Sequence, residues 1–172
     1  MLTGSHLVRR TLHEAVRYPH HAPRTESAEY RALREQMVVV EDLACLVCGV
    51  RQSTLSDPAH NPHGARQMEL HHRLVEWALT GAVDLDRFNR LVVARLRAKR
   101  PDDPTYAADM TQAEMEAWID HGRGNAWVLC DVHHRSPAMG IHSITYPLWT
   151  VQDLVRPDID LLTGDSDAAE HR

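Results

Sequence analysis

Two short half-sites constrain this chain more than any other feature. Cys45-Leu46-Val47-Cys48 and Cys130-Asp131-Val132-His133 repeat one spacing, two residues between two donor side chains, and 81 residues separate them. The three cysteines are the whole complement, and an odd number cannot close into a disulfide set. Gly49 follows Cys48 directly, where a tight knuckle often needs a positive φ. A CxxC turn presents two thiolates from one knuckle, and tetrahedral zinc takes four such donors. The spacing therefore predicts a structural Zn²⁺ on Cys45, Cys48, Cys130 and His133, with the adjacent His134 as the alternative fourth ligand. An ion closing so long a loop would clip the two halves together, because closure entropy grows only slowly with loop length.

With 172 residues, the chain suits one domain, or a core domain carrying an insertion. Aromatic residues make up 5% and include a single Phe, so aliphatic side chains on helices must supply most of the core. A net charge of −5 and a pI near 6.2 exclude a wholly basic nucleic-acid coat and leave only a local patch for such a partner. No apolar run approaches the roughly 20 residues that span a bilayer, so no membrane association is expected. The N-terminus lacks the apolar stretch of a signal peptide, which points to a reducing, cytoplasmic setting.

Helical spacing predicts a first helix over 5–17 (Val8, Leu12, Ala15, Val16) and a second over 27–43, with Tyr30, Leu33, Met37 and Val40 on one face. A polar loop over 53–66 precedes a short strand at Met68–His72. Helices are expected over 74–79 and over 86–100, the latter burying Phe88, Leu91, Val92 and Leu96. Thr111-Gln112-Ala113-Glu114 is a capping box for a helix ended by Gly122. Ala126-Trp127-Val128-Leu129 reads as a buried strand leading into Cys130, and Pro137 with Gly140 disfavours a long helix after His134. The polar residues 163–172 are expected to be disordered. The fold class expected is α+β, mostly helical: N-terminal helices over 1–44, a zinc domain over 45–155 with a helical insertion over 74–123, and a tail over 156–172.

Between the half-sites lies Glu69-Leu70-His71-His72, and Asn125 opens the strand before Cys130. Adjacent strand residues point to opposite faces, but at a strand's end both histidines can reach one site. Hydrolysis of a phosphodiester needs a base to activate water and a divalent cation to stabilise the developing charge. Histidine suits both tasks. The order of a CxxC knuckle, an acid-x-His-His strand, an Asn-led apolar strand and a closing Cys-x-x-His-His resembles the HNH endonucleases, the His-Me finger family with a ββα-metal core often stapled by a treble-clef zinc site. The resemblance covers Cys45 to His134. It implies that His71 and His134 ligate a catalytic divalent metal (Mg²⁺, Mn²⁺, Ni²⁺ or Zn²⁺), that His72 is the general base, and that Asn125 orients that base. It also implies a DNA substrate and a home in a phage, mobile element or bacterial defence system.

The chain departs from that pattern in three places. Between His72 and Asn125 lie 52 residues, where the family has a short loop. Pro137 and Gly140 interrupt the helix after the closing knuckle. Ala138 stands where a further histidine often follows, and His142 can substitute only if the chain folds back. The helix over 87–100 carries Arg87, Arg90, Arg95, Arg97, Lys99 and Arg100 with no acid among them, a tract suited to phosphates or to a solvated face. The leading expectation is an HNH-type endonuclease. The alternatives are a catalytically silent treble-clef module binding a protein or nucleic acid, and a zinc hydrolase using His71, His72 and His134.

Overall fold

The computed structural model describes residues 25–137, 140–143, 154–156 and 158, together with the strand backbones at 15–16 and 162–163. Its order is β1 (Ala15–Val16), α1 (Ala28–Arg34), β2 (Met68–His72), α2 (Leu85–Phe88), α3 (Ala94–Lys99), α4 (Gln112–His121), β3 (Ala126–Cys130), α5 (Asp131–Arg135) and β4 (Leu162–Thr163). The fold mixes helices with small two-stranded sheets, an α+β arrangement. Among the described residues, no helix is long and apolar enough to cross a membrane.

Ser27 starts α1, its hydroxyl accepting from the Tyr30 N–H at 2.9 Å. The helix then widens into a π-type segment, Glu35–Val40, where the Glu41 N–H reaches back to the Gln36 carbonyl. The extra residue per turn rotates the expected face. Tyr30, Met37 and Val38 are buried, whereas Val40 is 66% exposed. Asp42 closes the segment at φ 47°, a left-handed conformation that Asp tolerates better than most residues.

β2 and β3 form an antiparallel pair whose register runs from Met68 opposite Cys130 to His72 opposite Ala126. Met68, Leu70, Val128 and Leu129 pack with Tyr30, Met37 and Val38 and with the sulfurs of Cys45 and Cys130 into one core. α1 is therefore part of the packing around the knuckle. The residues between the strands build a second core from Val75, Leu79, Phe88, Val93, Met115 and Ile119, closed by Leu154 and Val155. Phe88 meets Trp118 edge-on there, with ring centroids 5.1 Å apart.

The helix expected over 74–79 is instead a 3₁₀ turn at Trp77–Ala82, because residues 73–75 are drawn onto Asn125 as described below. The helix expected over 86–100 runs over 85–99, with Asp84 as its N-cap and a π-type stretch at Asn89–Val93. The capping box on α4 forms as expected, Thr111 and Glu114 each accepting the other's backbone N–H. Gly122 follows with an ordinary φ of −72°, and its smallness serves another end. A Cβ there would sit 2.4 Å from the Trp118 carbonyl oxygen. Of the first expected helix, only Ala15 and Val16 are described, and they form a strand paired with Leu162 and Thr163. Cross-strand hydrogen bonds override the helical spacing at that end. The rest of that helix, and residues 164–172 of the expected tail, lie outside the described residues.

Candidate metal centres

The knuckle is shaped by its backbone. Gly49 has φ 77°, its N–H bonds the Cys45 carbonyl at 2.9 Å, and the Cys45 N–H bonds Val50 at 2.7 Å. The Leu46 N–H donates to the Val128 carbonyl at 3.0 Å and ties the knuckle to β3. The second half-site straddles the end of β3 and the start of α5, where the Asp131 N–H is held by the Gln67 carbonyl.

Cys45, Cys48, Cys130 and His133 come together in one cluster that can hold a metal ion such as zinc. Cys48 Sγ lies 3.9 Å from Cys130 Sγ, and His133 Nδ1 lies 3.9 Å from Cys45 Sγ and 3.2 Å from Cys130 Sγ. A zinc tetrahedron has sulfur–sulfur edges of about 3.8 Å and sulfur–nitrogen edges of about 3.6 Å. The donor set and its spacing fit the ion. Burial pushes the Cys130 thiol up to about 12, and the neighbouring Cys45 and Cys48 sulfurs add to that. Three sulfurs packed this closely become thiolates together only with a cation among them, so metal uptake releases protons.

His133 and His134 are neighbours on α5, and successive helical residues point about 100° apart. This offset sends His133 to the sulfurs and His134 to a second cluster, formed with His71 and His142. His71 Nδ1 lies 3.3 Å from His134 Nε2, and His142 Nε2 lies 2.9 Å from the same atom. Nitrogens on one divalent cation lie about 3.0 Å apart at right angles and about 3.4 Å apart in a tetrahedron.

A carboxylate fixes which nitrogen of His134 carries its proton. The His134 Nδ1–H donates to Glu69 Oε2 at 2.6 Å, and Arg135 holds the other Glu69 oxygen, which leaves the His134 Nε2 lone pair facing inward. Glu76 Oε1 stands 3.4 Å from His71 Nε2, and both atoms are buried without a hydrogen-bond partner among the described residues. His71 Nδ1 and His142 Nε2 face the His134 lone pair, and nitrogens so close need a proton or a cation between them. Burial lowers His71 to about 4, and the nearby His134, His142 and His72 lower it further against the pull of Glu76. Burial also lowers His134, with Glu69 opposing. Both rings are thus neutral near pH 7, the form that binds metal.

Strand alternation accounts for the partners. Glu69 and His71 share one face of β2, and both meet His134. Leu70 and His72 share the other, and both meet Tyr30, whose hydroxyl donates to the Leu70 carbonyl at 3.0 Å and whose ring stacks on His72 with centroids 5.7 Å apart. The strand end does not bring His71 and His72 onto one ion, because alternation persists to His72. The two histidines meet again through Glu76, which lies 3.4 Å from His72 Nδ1 as well. A cleft of about 430 Å³ is lined by His71, His72, Glu76, His134 and His142, with Tyr30 and Arg34 among its other walls.

Asn125 does not contact His72. It is 1% exposed, and its amide is fully used on backbone. The side-chain oxygen accepts from the Leu74 and Val75 N–H groups at 2.8 and 3.1 Å, and its nitrogen donates to the Val75 and Ile119 carbonyls, each at 2.9 Å. The direct orientation of the base expected of Asn125 is corrected to a clamp on residues 73–75, just past His72. The group hydrogen-bonded to His72 is the Asp120 carbonyl, 3.2 Å from Nε2.

Sequence reasoning passed over Glu76, although its spacing four residues after His72 was available. His142 joins because α5 stops after five residues and the Gly140 N–H bonds the Ser136 carbonyl at 2.7 Å, which folds the chain back. His60 pairs with Asp57, and His63 sits edge-on to His133 with centroids 4.9 Å apart; neither belongs to a cluster. The fold and the sulfur cluster define an α+β chain able to hold a metal ion such as zinc in a Cys₃His set. No family model, curated protein or solved structure matches the chain.

Proposed function

We propose that the chain is a metal-dependent, HNH-type endonuclease that hydrolyses DNA phosphodiester bonds, with the Cys₃His cluster as its structural zinc clip. One observation carries this reading: three imidazole nitrogens, on His71, His134 and His142, converge beside His72 in one cleft, with the Glu69 carboxylate behind His134. In this reading residues 45–155 are the HNH-like domain, 74–123 its helical insertion, and 1–44 and 156–172 its flanks.

His71 Nδ1, His134 Nε2 and His142 Nε2 would hold the catalytic divalent cation, Mg²⁺, Mn²⁺, Ni²⁺ or Zn²⁺. Bound there, such an ion supplies charge stabilisation to the scissile phosphate and its leaving oxygen. His72 serves as the general base. The Asp120 carbonyl holds a proton on Nε2 and leaves Nδ1 to take one from the attacking water. Glu76, 3.4 Å from Nδ1, stabilises the imidazolium that results. Asn125 keeps the chain after His72 in place by clamping residues 73–75.

Supercoiled plasmid is the test. Nicking is expected with at least one of the four metals, and it should vanish in His72→Ala and His134→Ala proteins that keep their zinc and their circular dichroism. Plasmid left intact under every metal, or nicking that survives His72→Ala, contradicts the reading. A second reading, a catalytically silent zinc module that binds a partner, draws support from the 5% exposure of His72. It expects intact plasmid throughout.

A further inference from the structure

The basic tract over 87–100 divides into two sets with different work. Arg87 donates to the Val155 carbonyl at 3.0 Å, and Arg97 to the Tyr106 carbonyl at 2.7 Å and to Asp109 at 2.8 Å. Those two hold the insertion together. Arg95, Lys99 and Arg100 are exposed, pair with no carboxylate among the described residues, and line one cleft of about 460 Å³ with Arg73. Among the described residues no Asp or Glu lines that cleft, in a chain whose net charge is −5. Its floor is apolar, built from Leu74, Leu91, Leu96, Trp118 and Leu154.

The place of this cleft matters as much as its charge. Arg73 follows His72 directly, and its N–H bonds the Asn125 carbonyl at 2.6 Å where the β2–β3 pair ends. The cleft therefore begins one residue past the proposed base. The Arg73 guanidinium also lies over the Trp127 ring, 5.8 Å from its centroid, a planar cation already paired with an aromatic face.

Cations alone would satisfy the phosphates of any DNA. An apolar floor inside a ring of four bases calls for an occupant that carries apolar faces between its phosphates. Nucleobases have such faces, and in a continuous duplex they are stacked away. We propose that the cleft between Arg73 and α3 binds an unpaired stretch of DNA strand next to the scissile phosphate, so that the substrate is single-stranded or locally opened DNA. This rests on the nuclease reading above for its substrate.

The test is fluorescence anisotropy on the zinc-loaded full chain with no added catalytic metal, using a labelled single-stranded oligonucleotide and a blunt duplex of equal length. The single strand should bind more tightly. Arg95→Glu should weaken it about tenfold and flatten its salt dependence by about one phosphate contact. Arg90→Glu makes the same charge change on the same helix outside the cleft and should shift affinity less than about twofold. Equal losses in the two variants, equal binding of duplex, or displacement of the strand by an equal concentration of mononucleotide would overturn the proposal. Plasmid cleavage that Arg95→Glu leaves unchanged sinks this inference alone. Strand binding that Arg95→Glu abolishes, in a protein that leaves DNA uncut under all four metals, sinks the nuclease reading alone.

Discussion

Glu69 is the residue on which the histidine cluster turns. Its carboxylate holds the His134 Nδ1–H at 2.6 Å, which fixes the ring and aims Nε2 inward. A carboxylate behind a ligating histidine raises its basicity, and removing it costs about 10–100-fold in metal affinity. Glu69→Ala should weaken Mn²⁺ binding by that factor in calorimetry and leave the zinc content unchanged. His71 sets the acid behaviour. Burial holds it at about 4 against an ordinary 6.5, so the unfolded chain takes up a proton that the folded chain refuses. That contribution to stability is complete above about pH 6.5, declines as the pH falls toward about 4, and is lost below. The urea midpoint should drop on going from neutral pH to about pH 5, and His71→Gln should flatten the drop. An unchanged slope in the variant would contradict the assignment. Residue identities and spacing made the Cys45, Cys48, Cys130, His133 set legible in the sequence, because thiolates at fixed spacing have few other uses. The His71, His134 pairing came only through the resemblance to the HNH nucleases. The work of Asn125 was not legible, since a buried amide serving four backbone groups looks the same in sequence as one serving a histidine.

At the scale of elements, α5 is the hinge of the account. It is five residues long, yet it carries one ligand for each cluster, and its early end lets His142 return. A Cβ on Gly140 would meet the Ser136 backbone at 2.6 Å. Gly140→Ala should therefore displace His142 and weaken Mn²⁺ binding while zinc content holds, and unchanged Mn²⁺ affinity would remove His142 from the site. The strands at Met68–His72 and Ala126–Cys130, the box at Thr111 and the break after His134 could all be read from local pattern and turn chemistry. The π-type segments could not. They turn Val38 inward and Val40 outward, and only tertiary packing selects that register. Likewise, the strand at Ala15–Val16 arises from a partner near residue 162 that no local window contains.

Across the molecule, two cores share the chain. One includes Cys45 and Cys130 of the sulfur cluster; the other, around Phe88, Met115 and Ile119, holds no member of it. Chelating zinc should expose the amides of Leu70, Val128 and Leu129 to hydrogen exchange before those of Met115 and Ile119. Simultaneous loss of protection would mean that the two cores unfold as one. A sulfur cluster and a histidine cluster meet at α5, and each is expected to hold its own metal ion. Anomalous scattering from crystals grown with zinc and soaked in Mn²⁺ tests that expectation most directly. A zinc peak is expected among Cys45, Cys48, Cys130 and His133, and a separate manganese peak among His71, His134 and His142. A map with no second peak, or with His134 turned toward the sulfurs, would contradict it.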